Sequence, residues 1–229
     1  MLRILYEDNH CLALDKPAGL LTQGDETGEQ TLVDLAREYL RTKYNKPGNV
    51  YVGLVHRLDR PTSGVVLLTK TSKAAARLSA QFRRGTVRKV YWALVEGVCP
   101  EVLGEWADML RKEEERNLVR VVPAGTPGGK VARVAFRVLE SDLSTATSLL
   151  ELRPATGRGH QLRVQLASRG MPIVGDLKYG ARSNLLALDG RPRVALHALE
   201  LTFKHPTREE ELSVTAPVPA DWPAHRRRG

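Results

Sequence analysis

Cysteine is nearly missing from this sequence: Cys11 and Cys99 are the two in 229 residues. Both stand in apolar, strand-like surroundings, which reads as reduced, buried thiols rather than a disulfide framework or a cysteine-based metal site. Large aromatics are thin as well, with three Trp and three Phe, so a stacking platform of the kind that holds single-stranded nucleic acid without regard to sequence is not evident. No apolar run approaches the ~20 residues needed to cross a bilayer. The N-terminus passes from Met1-Leu2-Arg3-Ile4-Leu5-Tyr6 straight into Glu7-Asp8, which is not a secretory signal, and the chain is expected in the cytoplasm. A Gly-rich loop ending in Lys-Ser or Lys-Thr is also lacking, so nucleotide energy is not indicated. His56, His160, His197 and His205 are scattered without ligand spacing, and no metal is expected. Acids are outnumbered, 26 against 35 Lys and Arg, for a formal charge of +9. That balance favours a polyanionic partner, because neutralising phosphates releases condensed counterions, but it does not separate RNA from DNA or from an acidic protein.

What is present suits one compact unit over residues 1–229, with a frayed basic tail at 226–229. Two short strands, 2–6 and 11–15, are separated by a Glu7-Asp8-Asn9 turn. Leu32, Leu35, Ala36, Tyr39 and Leu40 recur at helical steps after Thr31, a residue suited to cap a helix running to about Tyr44. Ser72 is expected to cap a second helix ending near Arg84, with Ala75, Leu78 and Phe82 on one face and Lys73, Arg77, Arg83 and Arg84 mostly elsewhere. From Val87 to Val95 a strand puts Val87, Lys89, Tyr91, Ala93 and Val95 on one side. The mixed charge run at 111–116 reads as a solvated turn or hairpin tip, and a Pro/Gly-rich loop precedes a further strand pair at 131–139 and 144–152. Many strands with few helices predict an α+β fold built on a predominantly antiparallel, twisted mixed sheet.

The segment Val55-His56-Arg57-Leu58-Asp59-Arg60-Pro61-Thr62-Ser63-Gly64 sets one acid among arginines and turn formers, between two β-branched runs. Two readings stand on residues alone. Asp59 either pairs with Arg57 or Arg60, or caps the turn, or it is a functional carboxylate presented on a loop.

His56-Arg57-Leu58-Asp59, two variable positions, then Thr62-Ser63-Gly64 resembles the signature of the RluA-like RNA pseudouridine synthases. Other stretches are similar to further motifs of that family in the same order: Asp15-Lys16-Pro17-Ala18-Gly19, 89–97 around Tyr91, 156–166 around Arg163, Gly175-Asp176-Leu177-Lys178-Tyr179-Gly180, and the closing segment 196–206. Gly159 stands where members usually carry Thr or Ser, and Gln165 where histidine is common. The resemblance implies a mixed sheet bent around a central active-site cleft with flanking helices, and an enzyme that isomerises uridine in ribosomal or transfer RNA. It also implies a role for individual residues. Asp59 would be the catalytic carboxylate, Arg163 the cation that keeps it ionised, and Tyr91 the residue that packs on the base and assists proton removal from carbon 5. Arg57 would fill the space left by the flipped nucleotide, and Leu196 would lie beneath the base. Lys16, Arg60, Thr62, Arg158, Lys178 and Tyr179 are the remaining substrate-side candidates, to bind phosphate or bracket the loop. Many relatives carry a small RNA-binding module ahead of this region, and none is expected here. Neither metal nor organic cofactor is implied, and a monomer is the default. Competing expectations are a noncatalytic RNA-binding protein of the same fold, and a glycosidase-like hydrolase, which needs a second carboxyl group such as Asp176.

Overall fold

The computed structural model describes residues 2–25 and 28–223, so the basic tail expected at 226–229 lies outside the described residues. In chain order the elements are β1 (Arg3–Glu7), β2 (Cys11–Lys16), α1 (Leu32–Lys43), β3 (Gly53–Leu54), β4 (Ser63–Thr69), α2 (Ser72–Arg84), β5 (Arg88–Glu96), β6 (Leu103–Glu113), β7 (Leu118–Val122), β8 (Lys130–Asp142), β9 (Thr147–Pro154), α3 (Gln161–Ala167), a 3-10 turn (Leu177–Tyr179), β10 (Leu196–Lys204) and β11 (Glu211–Thr215). They divide into two compact units, one built from residues up to Arg88 together with Ala198–Val218, the other from Lys89–His197 together with the segment that starts at Pro219.

In the first unit the strands run β1-β2-β4-β10, with β3 paired to β4 and β11 to β10. The pairs β1 with β2, β2 with β4 and β10 with β11 are antiparallel. β4 is buried at all seven positions, and a strand covered on both faces reads as a continuous apolar run instead of an alternation. Val65 and Leu67 share a core with Cys11, Ala13, Leu78 of α2 and Phe203 of β10. α1 starts as expected at Thr31, whose hydroxyl accepts from the Asp34 amide while the Asp34 carboxylate accepts from the Thr31 amide. α2 is capped by Thr71, one residue earlier than expected, through the Thr71 hydroxyl and the Ala74 amide. It ends at Gly85 in the left-handed region, with Arg83 and Arg84 in the last turn where the helix dipole favours cations. The turn after β1 is held by Asp8, which accepts from the amides of His10 and Cys11 at 2.7 Å each.

The second unit has the strand order β5-β9-β8-β6-β7, antiparallel at each of these neighbours. Its core joins Ala93 and Val95 of β5 to Leu150 and Leu152 of β9 and Leu162 and Leu166 of α3. The charge run at 111–116 begins inside β6, and its end forms the tip of the β6/β7 hairpin. Both cysteines are buried and unpaired. No helix among the described residues is long and apolar enough to cross a membrane.

Candidate active site

Asp59 lies on the turn between β3 and β4, and the backbone around it is gripped at three successive carbonyls. Thr22 donates its hydroxyl to the Leu58 oxygen at 2.8 Å, the Thr62 amide donates to the Asp59 oxygen at 3.0 Å, and the Gly19 amide donates to the Arg60 oxygen at 2.8 Å. The Lys16 ammonium, fully buried, donates to the same Arg60 oxygen at 3.1 Å and to the oxygens of Pro17 and Leu20 at 3.0 and 2.8 Å. Arg60 returns across the turn, its Nε on the Gly19 oxygen at 3.1 Å and its two terminal nitrogens on the Glu29 carboxylate at 2.9 and 2.8 Å. Of the two roles open to Lys16 and Arg60 in the sequence, these contacts are those of loop brackets. His56 Nε2 accepts from the Leu67 amide at 2.9 Å, and its ring stacks on Phe82 at 4.7 Å. That bond puts the ring in its Nδ1–H form, a structural fastener for the motif. Thr62 is buried, and its hydroxyl has no hydrogen-bond partner among the described residues. Arg57 is exposed and Asp59 half-buried.

In the second unit Lys89 and Tyr91 share a face of β5 by the two-residue period. Lys89 Nζ donates to the Thr156 oxygen at 3.0 Å. Thr156 in turn donates its hydroxyl to the Gln161 side-chain oxygen at 2.7 Å, and Gln161 Nε2 donates to the Arg133 oxygen at 3.0 Å. The strand with Tyr91 is thereby tied to the first residue of the helix that carries Arg163. Arg163 is 5% exposed and forks onto Asp176, Nε and one terminal nitrogen each at 2.7 Å. Its guanidinium lies 5.1 Å from the centre of the Tyr179 ring. The Tyr179 hydroxyl accepts from the Val119 amide at 3.1 Å and bonds His160 Nδ1 at 2.8 Å. The structure thus gathers Arg163 and Tyr179, while Lys178 turns to the Asn117 oxygen at 2.7 Å and the exposed Arg158 to the Val131 oxygen at 3.0 Å. Leu196 is buried in the core of this unit.

Two participants were not assigned to chemistry from the sequence. Asp176 appeared there only as the hypothetical second acid of a hydrolase, yet both its oxygens accept from Arg163. Lys89 was noted only for its place beside Tyr91. Burial drives the Lys89 ammonium down to about 8, because removing a cation from water favours its neutral form. In the unfolded chain lysine titrates near its model value of 10.5, so over this window the unfolded state holds more protons and stability rises with pH. Wild type is therefore expected to gain about 2 kcal/mol over Lys89→Met between about pH 7 and about pH 9.5. Urea unfolding of both proteins at the two pH values measures this, and equal differences at both would remove the buried-cation account.

The family model described as RNA pseudouridylate synthase matches residues 10–168. An uncharacterized RNA pseudouridine synthase, YhcT, of Bacillus subtilis (strain 168) is 38% identical over 222 residues, which are 96% of this chain and 70% of that protein. The ribosomal large subunit pseudouridine synthase C of Vibrio cholerae is 38% identical across 95% of this chain and 66% of its own length. The corresponding synthase D of Nitrosomonas europaea is 37% identical across 97% of this chain and 64% of its own length. The chain therefore spans about two thirds of the length of these relatives. Among solved structures, Human RNA Pseudouridylate Synthase Domain Containing 4 matches with a TM-score of 0.78 at 26% identity, covering 96% of this chain and 90% of that one. Human RNA Pseudouridylate Synthase Domain Containing 1 matches with a TM-score of 0.72 at 30% identity, covering 96% and 84%.

Proposed function

This chain belongs to the RNA pseudouridylate synthase family, and from that membership we propose that it isomerises uridine to pseudouridine in large-subunit ribosomal RNA, the whole chain working as one catalytic domain. The observation that carries the reading is the span of the family match, 10–168, which includes Asp59, Tyr91 and Arg163. The bond from ribose carbon 1′ to nitrogen 1 breaks, the base turns, carbon 5 joins carbon 1′, the carbon 5 proton leaves and nitrogen 1 takes up a proton, so the product is an isomer of the substrate. One glycosidic bond replaces another with no net oxidation, so the chemistry calls for neither a redox cofactor nor nucleotide energy.

In this proposal Asp59 is the carboxylate that acts as nucleophile or stabilises the developing cation at the sugar. Arg163, oriented by Asp176, supplies the positive field that keeps such a carboxylate ionised when water is excluded. Tyr91 packs on the base and assists proton removal from carbon 5. The target base must leave its stack, at a cost of a few kcal/mol, and Arg57, exposed two residues before Asp59, is assigned to the vacated space. Leu196 supports the base. The Arg163 fork on both oxygens of Asp176 favours isomerisation over hydrolysis, since a paired acid is a poor donor for a two-carboxylate glycosidase. The enzyme is expected to work as a monomer in the cytoplasm.

The test uses the purified protein with large-subunit ribosomal RNA, and in parallel transfer RNA, tritiated at uracil carbon 5. Wild type is expected to release tritium to water from the ribosomal RNA, and Asp59→Asn to lower turnover by at least about a thousandfold. Release from transfer RNA alone would correct the substrate, free uracil would reinstate the hydrolase, and no release from either RNA would overturn the reading.

A further inference from the structure

A groove of about 540 Å³ lies in the first unit, between α2 and the segment that follows β10. It owes its depth to Ala76 and Ala80, whose short side chains leave room along one helix face. Gln81 fixes its geometry: the Gln81 side chain donates to the Lys204 oxygen at 2.8 Å and accepts from the Lys204 amide at 3.0 Å, so the helix holds the end of β10 as a neighbouring strand would.

Four cationic side chains line this groove, Arg77, Arg84, Lys204 and Arg208, against one carboxylate, Glu209. They are not equally free. Lys204 lies 3.5 Å from Glu209, and Arg208 bonds both Asp8 and Glu210 at 2.9 Å. Arg77 donates to the Pro206 carbonyl at 2.6 Å, which orients its guanidinium without neutralising it. Arg84 makes no ion pair among the described residues. Both arginines are exposed.

We propose that this groove grips the sugar-phosphate backbone of the RNA substrate, with Arg77 and Arg84 as its phosphate contacts. The inference rests on the proposed function for its choice of polyanion and adds a surface that function does not require. Arginine forks match phosphate geometry. Seven residues along a helix separate the two by roughly 10 Å, a spacing that reaches two phosphates of one backbone. The lining contains no Leu, Ile, Phe, Tyr or Trp, and its one aromatic ring, His205, is buried and bonded to Asp8, so the groove offers neither the apolar anchors of a protein interface nor an exposed ring to stack an unpaired base. The contact is therefore sequence-independent and adds affinity and orientation, not base choice.

The experiment compares wild type, Arg84→Gln and the Arg77→Gln/Arg84→Gln double variant, each shown by thermal melting to be folded. Tritium release from large-subunit ribosomal RNA gives kcat and KM across a salt series, and filter binding of the same RNA gives affinity without turnover. The double variant is expected to raise KM and Kd about tenfold with kcat within about twofold, and to flatten the slope of log Kd on log salt by about 1.5, with about half that change for Arg84→Gln. An active wild type whose double variant keeps the same KM and salt slope would overturn the groove and leave the proposed function intact. A wild type without turnover whose RNA binding still falls in the double variant would do the reverse. Binding unchanged in the double variant, with or without turnover, removes the proposal.

Discussion

Gly64→Ala is expected to leave little folded protein. Gly64 is the second residue of β4 and sits at φ +114, a region that side chains with a β-carbon rarely enter. A β-carbon built there would stand 2.2 Å from the Ala198 carbonyl oxygen and 2.7 Å from the Ala198 nitrogen and carbonyl carbon. Those atoms are backbone of β10, the strand next to β4, so relief requires a strand to move. A backbone penalty of about 1–2 kcal/mol combined with displacement of a paired strand is expected to exceed about 4 kcal/mol. Urea denaturation or soluble yield at low temperature reads the loss, and an alanine variant within about 1 kcal/mol of wild type would refute this close approach. The glycine that closes the Asp59 motif is on this account a packing requirement, and the motif joins the carboxylate proposed for the chemistry to a steric residue.

The second large effect belongs to Asp176. Replacing it with asparagine keeps the shape but removes the carboxylate that two guanidinium nitrogens of Arg163 fork onto, and Arg163 is 5% exposed. Breaking a buried ion pair from one side costs about 3–5 kcal/mol, most of it the penalty on the cation left behind. Asp176→Asn is therefore expected to fall by about 3 kcal/mol in urea unfolding and, in the proposed mechanism, to lose turnover because Arg163 loses its orientation. Arg163→Met with Asp176→Leu is expected to recover stability but not turnover. Recovery of both in that double variant would show that the pair serves the fold alone.

An element is legible in the sequence to the extent that its cause is local. α1 was legible because its start is written in four consecutive residues, Thr31 to Asp34. The cap of α2 was misplaced by one because Thr71 and Ser72 both offer a hydroxyl, and only the extended backbone at Thr71, φ −140, distinguishes them. β6 is hard to read because charges at Glu105, Asp108, Arg111, Lys112 and Glu113 run through it and only Leu110 is buried, which weakens the apolar signal of a half-buried strand. β11 has five residues with Val214 alone buried, too short for its alternation to stand out. In the candidate site, Asp59, Tyr91 and Arg163 stood out through motif order, not through any property of the lone residues. The Asp176 partnership joins a helix to a turn thirteen positions away, beyond any local pattern. For Lys16 and Arg60 the sequence left phosphate binding and loop bracketing both open, because it shows their charge but neither the burial of Lys16 nor the Glu29 partner of Arg60.

The sealed ammonium of Lys16 also sets an order of events. Acylation at that nitrogen would erase the charge facing the oxygens of Pro17, Leu20 and Arg60, and the folded chain gives reagents and enzymes no access to it. A molecule found acylated at Lys16 was thus modified before this segment closed, or during an opening of it. The residue keeps a chemical record of how the loop beside Asp59 was assembled.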